Sequence, residues 1–194
     1  NPFCCAIPTA GDPIVLDMAT SAIALGKARV ARMKGVAVPE GSVYDAEGQP
    51  STDPNVLEQG GSLAPFGEHK GYGLALIFGL LAGTLNGAAM GRDVVDFNKD
   101  DTTITNTGQF IIALDIKAFS DLDLFRRNVD TVIRAMRSSP TLPGVDRVRV
   151  PGEGSEATSR QRRRDGIPIP AALRATLDEL AGTLAIDPLF RDAG

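Results

Sequence analysis

Apolar and polar positions along this chain fall into blocks of different period. Pro13-Ile14-Val15-Leu16-Asp17 is a short apolar run ending in an acid, which predicts a buried strand. Thr20 and Ser21 follow as N-caps for a helix from Ala22 to about Lys34. Arg29, Arg32 and Lys34 suit the negative end of that helix's dipole, and Gly35 closes it. Residues 36–70 stack turn signals at Val38-Pro39-Glu40-Gly41, Glu47-Gly48-Gln49-Pro50 and Asp53-Pro54-Asn55, and read as a long functional or flexible loop. Gly71 to Met90 is almost wholly apolar and predicts a buried helix. Its small residues Ala75, Gly79, Gly83 and Gly87 recur at every fourth position, a smooth stripe for a core contact or a dimer seam. Five glycines and Asn86 in the stretch argue against a membrane span.

Thr102-Thr103-Ile104-Thr105 and Phe110-Ile111-Ile112-Ala113-Leu114-Asp115-Ile116 are rich in β-branched residues and predict strands. Asp121 caps a helix to about Arg137, with Leu122, Phe125, Val129, Val132, Ile133 and Met136 at helical spacing. Arg147-Val148-Arg149-Val150 alternates like a strand. A polar helix from Ser155 and an amphipathic one from Pro170 to about Leu184 complete the pattern. Strands and helices alternate, so the architecture is α/β or α+β.

Composition narrows the classes. Of 194 residues, 20 are Lys or Arg and 24 are Asp or Glu, a formal charge of −4 that disfavours a dedicated nucleic-acid binder. With 43% hydrophobic residues the chain reads as globular. The two cysteines, Cys4 and Cys5, are adjacent, which rules out a disulfide framework and suggests reduced thiols of a cytoplasmic protein. His69 is the only histidine, too few ligands for a His/Cys zinc site. The opening Asn1-Pro2-Phe3-Cys4-Cys5-Ala6-Ile7 has no basic n-region and reads as the interior of a longer protein, so a fragment or processed piece is expected.

Three segments carry candidate chemistry. Asp17-Met18-Ala19-Thr20-Ser21 joins strand to helix, where free amides either hold an anion or are simply capped. In Gly67-Glu68-His69-Lys70-Gly71-Tyr72-Gly73-Leu74, Lys70 stands at the mouth of an apolar helix and suits a phosphate or carboxylate. His69 is either a general acid or base or a hydrogen-bonded loop residue. Val150-Pro151-Gly152-Glu153-Gly154-Ser155-Glu156-Ala157 matches a relaxed G-x-G-x-x-G/A pattern. Glu153 and Glu156 oppose a pyrophosphate there, and no second strand ending in an acid follows, so a Rossmann site fails. Arg160, Arg162, Arg163 and Arg164 either balance a dinucleotide phosphate or form a solvated face. The paired carboxylates Asp100 and Asp101 read as a solvated turn, and no G-x-S-x-G elbow supports a hydrolase.

Taken in order, these strings resemble the type-2 malate/L-lactate dehydrogenase family, which also holds sulfolactate, ureidoglycolate and 2,3-diketogulonate dehydrogenases and cyclic imino acid reductases. The resemblance is carried by Asn1-Pro2, Val15-Leu16-Asp17-Met18-Ala19-Thr20-Ser21, Gly26-Lys27, Pro39-Glu40-Gly41, Gly67-Glu68-His69-Lys70-Gly71-Tyr72-Gly73-Leu74-Ala75-Leu76 and Pro151-Gly152-Glu153. It implies a non-Rossmann fold, mixed α/β with a largely antiparallel sheet, that binds NAD or NADP. Residues 1–144 would form the larger part of the cofactor domain. Residues 145–194 would supply a cofactor-contacting loop and a returning helical segment. Asp17, Met18, Ala19, Lys70, Pro151, Gly152, Glu153, Gly154 and Ser155 would touch the dinucleotide. The Ala75/Gly79/Gly83/Gly87 stripe would pack inside that domain or near the dimer seam.

The resemblance further implies a homodimer, a small 2-oxo or 2-hydroxy acid substrate, and no nucleic-acid or membrane partner. The family's catalytic histidine and a substrate-binding arginine belong to an N-terminal portion that this sequence lacks, possibly supplied as a separate chain. His69 belongs to a different motif, so no catalytic residue is assigned here. The expected function is an NAD(P)-dependent oxidoreductase interconverting a 2-hydroxy acid and its 2-oxo acid. The rival is a non-catalytic truncated paralogue that serves as a cofactor-binding or assembly module.

Overall fold

A computed structural model describes residues 2–97, 99–100 and 102–189. The chain forms two units, one ending at Gly152 and one beginning at Glu153. The first opens with an antiparallel ribbon of β1 (Phe3–Ile7) and β2 (Ile14–Met18), in which Cys4 faces Asp17 and Cys5 faces Leu16. The Thr9 hydroxyl donates to the Asp12 carbonyl at 2.8 Å and accepts from the Gly11 amide at 2.9 Å, which closes the turn between the strands. Both cysteines are free and exposed on β1. Helix α1 (Leu25–Met33) follows, then a three-stranded antiparallel sheet with β3 (Val43–Tyr44) between β4 (Pro50–Ser51) and β5 (Ser62–Leu63). Helices α2 (His69–Ala82) and α3 (Leu122–Arg137) complete this unit. The second unit holds α4 (Glu153–Asp165) and α5 (Ala171–Thr183). The architecture is mixed α/β, and every strand pair among the described residues is antiparallel.

The core lies where a long loop was expected. Ala28 of α1 and Val38, Val43 and Val56 are buried together, with Ile23, Ala31, Leu57 and Leu63 packed around them. The turn signals of residues 36–70 close tight connections between strands too short to show a period. The Asp45 carboxylate accepts from the Glu47 amide at 3.1 Å and the Gln49 amide at 2.7 Å. The Asp53 carboxylate accepts from the Asn55 amide at 2.9 Å and starts a 3-10 turn over Pro54–Glu58.

Other expectations also need correction. Helix α1 begins at Leu25, because the backbone of Thr20 and Ala22 is already paired with Phe66 and Ala64 and cannot enter a helix. The Ser21 hydroxyl donates to the Ile23 carbonyl instead of capping. Residues 102–105, 110–116 and 147–150 are not part of any strand among the described residues. Helix α2 is not a buried helix. Of its residues only Gly71 is buried, and Tyr72 and Ile77 are 61% and 52% exposed. It stops at Ala82, so Gly83 caps it and Gly87 lies beyond it, which breaks the predicted stripe. Helix α3 follows the sequence reading closely. The Asp121 carboxylate accepts from the Leu124 amide at 2.7 Å, and Ile133 is buried.

The accessible surface is 14737 Å². Large apolar side chains, among them Met33, Ile104, Ile111, Leu114 and Phe119, are exposed.

Two substitutions test this account of the core and cap. Val43→Ala removes two methyl groups from a fully buried site and is expected to cost about 2 kcal/mol. Asp121→Ala removes the α3 cap and is expected to cost about 1 kcal/mol. Met33→Ala, at a largely exposed position, is the neutral control. Urea denaturation followed by circular dichroism reads all three.

Candidate cofactor site

Strand β2 is the element on which the predicted strings meet. Asp17 is exposed at its end, Met18 and Ala19 are half-buried, and Thr20 is buried. The chain then pairs with the segment that precedes α2. The Phe66 amide donates to the Thr20 carbonyl at 3.1 Å, and the Ala22 amide donates to the Ala64 carbonyl at 2.8 Å. Ser21 and Pro65 form an antiparallel bridge between these bonds. The Asp17–Ala19 string and the Gly67–Leu74 string are thereby held side by side, although about fifty residues separate them in sequence.

The start of α2 is unusually constrained. Gly67 and Glu68 both have positive φ, 58° and 53°, and Glu68 at ψ −122° lies outside the ordinary left-handed well. A non-glycine residue there costs about 1–3 kcal/mol of backbone strain, a feature that clusters at ligand-holding turns. Gly71 is required by contact: a Cβ on it would fall 1.8 Å from the Phe66 carbonyl oxygen. The same Phe66 that donates its amide to Thr20 therefore has its carbonyl pressed against the first turn of α2. Phe78 of α2 stacks on Phe3 of β1, ring centroids 4.9 Å apart and planes 3° apart, which fixes the helix to the ribbon. Lys70 and His69 are exposed in the first turn. The Lys70 amide already donates to the Gly67 carbonyl at 3.2 Å; the other amides of the helix start, with the Lys70 ammonium, suit an anion.

The third string reaches β2 from its beginning. The Val15 amide donates to the Pro151 carbonyl at 3.4 Å. Gly152, at φ 87°, lies so close that a Cβ would be 2.8 Å from the Val15 carbonyl oxygen. Val15 and Asp17 are two residues apart on one strand, about 7 Å. Within the first unit, Asp17, Met18, Ala19, Lys70, Pro151 and Gly152 are thus all set by β2 and its neighbours. Glu153, Gly154 and Ser155 form the first turn of α4 in the second unit. On that helix Gly154, Ser155, Ser159, Arg162 and Arg163 line an open groove of about 710 Å³. The acids of α4 lie in its first turn and the arginines in its last, as the helix dipole favours. Arg160 is paired with Glu156 at 2.9 Å, so that member of the basic cluster is already engaged.

Sequence reasoning did not single out Glu68 or Phe66. The signal for the first was its place between Gly67 and Gly71; nothing in the sequence marked the second. Asp100 is a turn residue whose carboxylate accepts from the Thr102 and Thr103 amides and the Thr102 hydroxyl. The Thr103 side chain first, and then those bonds, hold its carboxyl well below the usual carboxylate range. Asp101 and Asn1 lie outside the described residues. Among the described residues no group of three His, Cys, Asp or Glu could hold a metal. No helix among them is long and apolar enough to cross a membrane. Within the first unit, the donors around β2 are the Lys70 ammonium and backbone amides at the start of α2.

The comparisons with known proteins agree with one another. The family model described as malate/L-lactate dehydrogenase matches residues 1–178. The chain is 40% identical over 190 residues to an L-lactate dehydrogenase of Cupriavidus necator, covering 96% of this chain and 53% of that protein. It is 36% identical over 187 residues to a malate/(S)-sulfolactate dehydrogenase of Methanothermus fervidus, again covering 96% and 53%. Among solved structures, the sulfolactate dehydrogenase from Methanocaldococcus jannaschii superposes with a TM-score of 0.83 at 33% identity, covering 96% of this chain and 53% of that one. The chain spans about half the length of the curated relatives it matches. On the match over most of its length, on its mixed α/β fold and on the strings gathered around β2, the chain belongs to the type-2 malate/L-lactate dehydrogenase family.

Proposed function

We propose that this chain is the cofactor-holding part of an NAD(P)-dependent dehydrogenase that interconverts a 2-hydroxy acid and its 2-oxo acid. The observation that carries the reading is the meeting of three distant strings on β2. Their residues suit a dinucleotide. Gly152 and Gly71 are places where backbone approaches too closely for a side chain, Lys70 supplies an exposed cation, and the α2 start supplies amides. Asp17, Met18, Ala19, Lys70, Pro151 and Gly152 would hold the dinucleotide from the first unit. Glu153, Gly154 and Ser155 would meet it from the start of α4. The nicotinamide, when bound, gives or takes the hydride. This chain's residues bind and orient.

The proton for the substrate oxygen comes, in this reading, from a histidine in an N-terminal portion outside the 194 residues, and an arginine there binds the substrate carboxylate. The half-length match to the relatives supports that reading. The complete protein is proposed to be a cytoplasmic homodimer.

The test is an NADH and NADPH fluorescence titration, together with turnover on malate and lactate. Both are made on the chain co-expressed with the half of the Cupriavidus necator enzyme that it does not span. Cofactor binding with turnover is expected. Binding without turnover supports the non-catalytic module, and no binding contradicts the reading. Lys70→Ala removes a charge-assisted contact and is expected to weaken cofactor binding about 10-fold or more. Gly152→Ala forces Pro151–Gly152 off Val15 and is expected to abolish binding. Gly73→Ala, in open space inside α2, should leave binding intact and raise stability by up to about 1 kcal/mol.

A further inference from the structure

We propose that Glu68 selects between the two nicotinamide dinucleotides: its carboxylate accepts hydrogen bonds from the paired hydroxyls of the adenosine ribose and so favours NADH over NADPH. The inference rests on the functional reading above and names the form of the cofactor. It starts from a mismatch between residue and backbone. Glu68 has φ 53° and ψ −122°, a region that glycine enters freely and a residue with a Cβ enters only under strain. The turn forces that conformation. The Phe66 amide is tied to the Thr20 carbonyl on one side, and the Tyr72 amide donates to the Glu68 carbonyl at 3.0 Å on the other. A glycine at 68 would satisfy the turn and remove the strain. The chain has glycine at 67, where φ is also positive, and glutamate at 68.

The fold makes no use of the glutamate side chain. It is exposed, it does not cap α2, and among the described residues it makes no hydrogen bond or ion pair. Strain that no internal contact offsets belongs with a turn that holds a ligand. The residue stands where two of the three strings meet, three positions beyond the bridge between Ser21 and Pro65.

The chemistry of the side chain selects the group it meets. A carboxylate has two acceptor oxygens and no donor. It repels a phosphate, whereas a vicinal diol gives it two hydroxyl donors. Lys70, two residues on and exposed in the first turn of α2, supplies the cation for a phosphate. In a dinucleotide the ribose is bonded directly to the pyrophosphate, so an acceptor and a cation on one turn match neighbouring groups of one ligand. In NADPH the 2′-hydroxyl carries a phosphate. One donor is lost, and negative charge faces the carboxylate.

The test is a fluorescence titration with NADH and with NADPH on this chain co-expressed with the unspanned half of the Cupriavidus necator enzyme. The unaltered complex is expected to bind NADH about 10-fold or more tighter than NADPH. Glu68→Ala removes the acceptor and is expected to weaken NADH about 10-fold while leaving NADPH unchanged or tighter. Glu68→Gln keeps the length and one acceptor and removes the charge, so its gain is expected mainly in NADPH. Glu68→Gly loses the preference as Glu68→Ala does, yet raises the Tm of the complex by about 2 °C or more, because the strain goes. A merely structural role would change both affinities together. An NADH-to-NADPH ratio that Glu68→Ala leaves unaltered, an unaltered complex that prefers NADPH, or a Tm that Glu68→Gly lowers overturns this inference and leaves the functional reading standing. An unaltered complex that binds neither dinucleotide overturns both.

Discussion

The pairing between the end of β2 and the segment before α2 is the constraint on which the rest depends. Two backbone hydrogen bonds, Phe66 to Thr20 and Ala22 to Ala64, set where α2 begins relative to β2. The carbonyl of Phe66 then lies against Gly71, so the first turn of the helix is fixed at a distance only glycine allows. The strained Glu68 follows from the same geometry: the chain must reverse between Phe66 and His69 within two residues. Gly152 repeats the device at the other end of β2, against Val15. Close backbone approach at both ends leaves the loops around β2 little freedom, and such preorganisation lowers the cost of binding any ligand there.

Much of the candidate site's local geometry was legible in the sequence, and for a physical reason. Glycines at forced approaches, a lysine at a helix mouth and an acid at a strand end are local signals. Their joint order carried the family resemblance. Helix α3 was legible too, because an Asp cap and a 3.6-residue period are both local. The core was not. Strands of two residues, such as Val43–Tyr44, are too short to show alternation, so turn-forming residues hid a packed sheet. Strand β1 was missed because Cys4 and Cys5 offer no alternation and the exposed ribbon has no buried face to demand it.

The opposite error is as informative. Residues 102–105, 110–116 and 147–150 have strand composition and are not strands among the described residues. Helix α2 fails as a buried helix in the same way: it is apolar on all sides and largely exposed. Local pattern and tertiary cover normally agree in a natural sequence. Here they part company in those segments.

The central claim is that one cofactor site is assembled from three strings around β2. Amide NMR of the isotopically labelled chain, in complex with the unspanned half of a relative and titrated with NADH, tests it most directly. The account predicts that Asp17–Ala19, Gly67–Lys70 and Gly152 shift together and saturate with one dissociation constant. Shifts confined to one string, or separate saturation of the three, would contradict it.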